Sequence, residues 1–217
     1  VAPRLALGLL VAVAVGAVAT GCTQGHQARY TGYDQYADEG GPRAYQRAVR
    51  RWTREIRLYN KWETSLLMKA TFKAAPFRRA YSHEYARRYI LPQDDYALLL
   101  QKELEDASRY HEIQFAVWAD DTRRGDFVGE DAPWKVRLVG DGDRTVDPLI
   151  LELIRRPTTE LLSLVPYITA HDRVFVAKFP TLGQDGLPLI TGQTPEVKLQ
   201  VAGVVHRGEL VWDLHGP

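Results

Sequence analysis

The chain has 217 residues, of which 45% are apolar and 25% charged, and its formal net charge is +1. That composition supports a hydrophobic core and excludes a disordered chain, and the length holds one large domain or two small ones. A single cysteine excludes an internal disulfide, a CxxC-type zinc site and a thioredoxin-like pair.

Residues 5–19 read LALGLLVAVAVGAVA and carry no charge, and Arg4 is the only charge before Cys22. A charged start, a short apolar run and small residues after it make an export signal. The run is shorter than the roughly 20 residues a membrane-spanning helix needs. The ATGC at 19–22 resembles the lipobox of bacterial lipoproteins. The resemblance covers the first 22 residues. It implies that 1–21 is a signal peptide and that Cys22 becomes the first residue of the mature chain, acylated and partnered by membrane lipid. Thr20 and Gly21 suit the processing enzyme, whereas Ala19 stands where Leu is commoner. Thr23 is not the Asp of an inner-membrane retention signal, so the resemblance implies the outer membrane in preference to the inner. The competing expectation is an ordinary cleaved signal followed by a free thiol.

Residues 22–42 form the tether of this scheme. The stretch TQGHQARYTGYDQYADEGGP is polar, glycine-rich and without aliphatic periodicity. As a random coil it spans about 25 Å, enough to hold a folded body just off a bilayer.

Residues 43–111 read as a helical segment. Tyr45, Val49, Trp52, Ile56, Tyr59 and Leu66 recur at spacings of three and four, which predicts one long helix over 43–71. Beside them runs a basic stripe: Arg43, Arg47, Arg50, Arg54, Arg57 and Lys61, flanked by Arg51. On one helix this face would suit an anionic envelope surface or an acidic partner; the bland alternative is a solvated face, or one docked on the second half of the chain. The charge asymmetry fits either. Residues 22–111 carry 16 Lys+Arg against 11 Asp+Glu, and residues 112–217 carry 11 against 16. A second helix is predicted over 77–89 after Pro76. A third follows Pro92, capped by Asp94 or Asp95, with Tyr96, Leu99, Leu100, Leu104 and Ala107 as its apolar stripe.

From residue 112 the period changes to two. Ile113, Phe115 and Val117 share a face, as do Val136 and Leu138, Val197, Leu199 and Val201, and Leu210, Trp212 and Leu214; RVFVAKF at 173–179 is a further strand. One-sided alternation separated by GDGD, GQDG, TGQTP and HRG turns points to antiparallel sheet. The expected fold is therefore α+β: a long basic amphipathic helix and two shorter ones, then an antiparallel β-sandwich-like domain over 112–217. A curved sheet covered by the helices is the alternative, and TTELLSLVPYI at 158–168 is either a helical turn or an irregular crossover.

The chemistry-bearing residues form no recognised catalytic motif. GxSxG, HExxH, P-loop and dinucleotide fingerprints are absent. In DGDRTVDPLILE, Asp141, Asp143, Thr145, Asp147 and Glu152 take the ligand places of a twelve-residue calcium loop, but Val146 stands where its glycine is needed. A hairpin tip is the plainer reading, and neither a metal nor a cofactor is expected. Trp118, Trp134 and Trp212 are expected in the core. The expected function is that of a lipid-anchored, noncatalytic binding or assembly protein of the cell envelope, contacting lipid but no nucleic acid. An envelope hydrolase acting on glycan or peptide and a small-ligand-binding lipoprotein are the alternatives.

Overall fold

The computed structural model describes residues 42–60, 63–119, 125–204 and 206–215. The signal segment, Cys22, the tether up to residue 41 and Lys61 lie outside the described residues. The fold is α+β, with two antiparallel sheets.

Helix α1 spans Pro42–Trp52, and the chain then becomes strand β1, Thr53–Asn60, and strand β2, Glu63–Phe72. The single helix expected over 43–71 is therefore corrected: it ends at Trp52, and 53–72 forms antiparallel strands with Thr53 opposite Thr71 and Leu58 opposite Leu66. The reason lies in two overlapping periods. Positions 52, 56 and 59 satisfy a helix, but from Thr53 onward Leu58 faces inward while Glu55, Arg57 and Tyr59 face solvent, which is period two. β2 settles the competition, because Leu66, Met68, Ala70 and Phe72 alternate into the core and β2 also pairs with a later strand. Tertiary pairing outweighs local propensity here.

Helices α2, Ala75–Tyr89, and α3, Gln93–Arg109, follow, and lead into β3, Tyr110–Trp118. The remaining strands are β4, Trp134–Val139; β5, Thr145–Val146; β6, Ile150–Ile154; β7, Arg173–Pro180; β8, Glu196–Gly203; and β9, Arg207–Asp213. A short helix α4, Thr159–Leu164, sits before β7, capped by the Thr158 hydroxyl accepting from the Leu161 N–H. One sheet runs β1-β2-β3-β7-β6 and the other β5-β4-β8-β9. The strands from 53–72, taken from the sequence as helical, thus lie in one sheet with strands from 112–217. No described helix is long and apolar enough to cross a membrane.

The two sheets share one hydrophobic core. Met68, Phe115 and Phe175 enter it from the five-stranded sheet, and Leu138, Leu199 and Trp212 from the four-stranded one. At one corner, residues 147–149 carry the chain from β5 to β6. At the other, β1 meets β9 without a ladder, and side chains make the bond. Arg54 Nε donates to the Val211 carbonyl at 2.7 Å, and Trp212 Nε1 donates to the Trp52 carbonyl at 2.8 Å. Gly208 allows close approach at this corner, since a Cβ there would lie 2.2 Å from Ile56 Cδ1 and that side chain would have to move.

The helices are docked on the five-stranded sheet by a buried ionic cluster. Arg78 on α2 is 0% exposed. Its Nε donates to the Lys73 carbonyl at 2.8 Å, its NH2 to Glu112 of β3 at 2.9 Å, and its NH1 to Glu103 of α3. Lys73 Nζ also reaches Glu112 at 2.9 Å, so two cations answer two carboxylates. Burial alone would raise the Glu112 pKa, but Lys73 and Arg78 outweigh it and hold the carboxyl below its ordinary value. Removing one member of such a cluster leaves buried charge uncompensated, at a cost of roughly 3–5 kcal/mol. Arg78→Met should therefore lower folding stability by about that amount, read from the shift of the urea midpoint. Arg57→Met, which removes an exposed partner of Glu55, should leave the midpoint in place.

Candidate functional site

The site builds from the rotation of α1. Tyr45 and Trp52 point inward and are buried. The Tyr45 hydroxyl donates to the Leu164 carbonyl at 2.7 Å, its ring lies 6.2 Å from that of Phe77, and the Trp52 ring lies 5.9 Å from that of Phe72. With these contacts fixed, the helical period turns Arg43, Arg47 and Arg50 outward, and all three are exposed. Among the described residues no ion pair is made by Arg43, Arg47 or Arg50. Arg50 and Arg51 also sit in the last turn, where cations are favoured by the helix dipole.

An open hollow of about 720 Å³ lies beside this face. Arg47, Arg50 and Arg51 border it, together with Ala48, Trp52, Pro76 and Leu214. Arg51 is held in place: its guanidinium lies over the Trp52 ring at 5.6 Å and donates to the Asp213 carbonyl at 2.7 Å. Guanidinium groups around an apolar floor are suited to phosphate or carboxylate attached to an apolar body.

The structure keeps only part of the predicted stripe together. Arg43, Arg47 and Arg50 share the exposed face of α1. Arg54 is drawn into the corner between β1 and β9, and Arg57 lies on β1, 2.7 Å from Glu55. Cys22 and Lys61 fall outside the described residues. Pro76 and Leu214 complete the hollow, and nothing in their local sequence points to it; only the chain's return from β9 to α1 places Leu214 there.

Of the calcium-loop acids, Asp141 and Asp147 are paired with arginines, as are Asp126 and Asp185 elsewhere. Asp141 and Asp185 bind Arg144, Asp147 binds Arg137 at 2.7 Å, and Asp126 binds Arg173 at 2.9 Å. Among the described residues no group of three or more His, Cys, Asp or Glu side chains is placed to hold a metal ion. Glu84 is buried on α2, and although burial raises its pKa, Arg87 and Arg88 hold it below the ordinary carboxyl value. Trp134 and Trp212 are core residues, whereas Trp118 is 47% exposed.

His111 on β3 is a half-buried imidazole packed against the core. Among the described residues its Nε2 has no hydrogen-bond partner, its ring stands edge-on to Phe72 at 6.2 Å, and burial pushes its pKa down to about 4. The neutral ring is therefore a packing element at ordinary pH.

The chain matches no protein-family profile, no curated protein and no solved structure.

His111 makes stability pH-dependent with a definite sign. The unfolded imidazole takes up a proton as pH falls through its ordinary value of 6.5, while the folded one resists until about 4. Stability is therefore complete above that upper value and declines between the two, by about 3 kcal/mol in all. Urea unfolding of wild type and His111→Leu across this window should show a decline in wild type that the variant lacks.

Proposed function

We propose that this chain is a lipid-anchored protein of the bacterial cell envelope, held through acylated Cys22, with a folded body that binds or assembles rather than catalyses. Outer-membrane attachment is the favoured location. The two sheets over their common core form a β-sandwich-like body, and α1 presents its arginines to an anionic envelope surface. The observation that carries the reading is the set of exposed guanidinium groups of Arg43, Arg47 and Arg50, which make no ion pair among the described residues, on the element that directly follows the tether. A tether spanning about 25 Å keeps that element within reach of the headgroups. The contact is electrostatic, so it strengthens a lipid anchor without requiring a catalytic cleft.

Each basic residue held near an anionic surface contributes about 1 kcal/mol, so three supply roughly a hundredfold in partitioning. The triple variant Arg43→Gln, Arg47→Gln, Arg50→Gln should lose about that factor in co-sedimentation of the unacylated protein with anionic phospholipid vesicles at low salt. Arg57→Gln, whose charge lies on β1, should bind like wild type, and added salt should release wild type. Equal binding by the triple variant and wild type would overturn the surface contact.

A further inference from the structure

The five-stranded sheet has two edges, and the protein treats them differently. The β1 edge is closed by the corner contacts of Arg54 and Trp212 with β9 and Trp52. The β6 edge is unpaired among the described residues. β6 pairs with β7 in unbroken register, from Ile150 opposite Lys178 to Ile154 opposite Val174, and on its outer side meets no strand among the described residues.

Open edges are ordinarily guarded by lysine, proline or a bulge, because their unpaired N–H and C=O groups template another strand. β6 reads ILELI, with no lysine, no proline and no register shift, and its one charge is the exposed Glu152 at the centre of a five-residue strand. Leu151 and Leu153 reach the main core, and Leu149 just before the strand is 63% exposed. Beside the strand opens a hollow of about 650 Å³, bordered by Leu151 and Pro148 on one side and by Val136 and Arg137 of β4 on the other. The hollow has room because β5 covers β4 only at Leu138 and Val139 before the chain leaves for β6.

We propose that this slot captures an extended segment of a partner polypeptide, which adds to β6 as a further antiparallel strand. Main-chain hydrogen bonds supply the affinity in this mode, and alternate side chains supply the specificity. The residues around β6 state what the segment carries. Arg155 and Arg156 follow the strand, are exposed, and make no ion pair among the described residues. An antiparallel partner begins opposite them, so it begins with acidic residues. Leu153 and Leu151 require apolar residues opposite them, and Glu152 requires a basic one. A second copy of this chain is a poorer occupant: full antiparallel overlap of two β6 strands sets Glu152 against its own copy, a like-charge pair that disfavours it.

The test uses the full chain in detergent micelles and the peptide acetyl-DDTVKVTV-amide, whose acids, valines and lysine follow this order. The peptide should bind and slow amide exchange at 150–154. Two N-methylated versions, each blocking one alternate set of backbone N–H groups, separate strand addition from other binding. One should bind roughly tenfold more weakly or worse, having lost the bonds that face β6, and the other should bind normally. Arg155→Glu with Arg156→Glu should also weaken binding, and no change in it would remove the assigned charge pattern. Absence of binding at millimolar peptide, equal binding of both methylated versions, or protection confined to other strands would overturn the proposal. A dimer of the protein alone that protects the same amides would overturn it in favour of self-pairing.

Discussion

The buried guanidinium of Arg78 is the interaction on which the arrangement of the helices depends. It joins three elements at once: the Lys73 carbonyl at the end of β2, Glu103 on α3 and Glu112 on β3. Such a cluster is a weak source of net stability, because desolvation offsets most of the Coulomb gain, but it tolerates few alternative geometries. With Arg78 fixed, Phe77 beside it meets Tyr45, and Tyr45 and Trp52 set the rotation of α1. The outward face of α1 is thus determined by a charge cluster on the next helix. The proposed contact surface follows from packing that the arginines themselves take no part in.

Sequence periodicity captured the strands whose two faces differ in environment. Val197, Leu199 and Val201 alternate with exposed or half-exposed neighbours on β8, and Val136 and Leu138 alternate with exposed Lys135 and Arg137 on β4. It misled where a short stretch satisfied two periods. Trp52, Ile56 and Tyr59 fit a helix, and nothing local reveals that β2 waits to pair with 53–60. The basic stripe inherited the same error, which is why Arg54 proved to be a corner residue and Arg57 a strand residue. Arg78 was illegible for a different reason. It follows a buried Phe on a helix of mixed polarity, and its carboxylate partners lie 25 and 34 residues away in sequence. The edge position of β6 was also out of reach, because a strand's place in a sheet depends on pairings that its own residues do not encode.

The two edges of the five-stranded sheet show how local constraint and availability for binding separate. β1 is committed to the corner with β9, where Gly208 allows close approach and Arg54 and Trp212 donate across it. β6 carries equivalent backbone groups with no such covering among the described residues.

A lipid anchor at Cys22 is the premise of the proposed function. Fatty-acid labelling of the full chain expressed in a bacterial host, beside Cys22→Ala, with separation of inner and outer membranes, addresses it in one experiment. The expected result is label that depends on Cys22 and a protein that fractionates with the outer membrane. An unlabelled soluble protein, or label that survives Cys22→Ala, would contradict it.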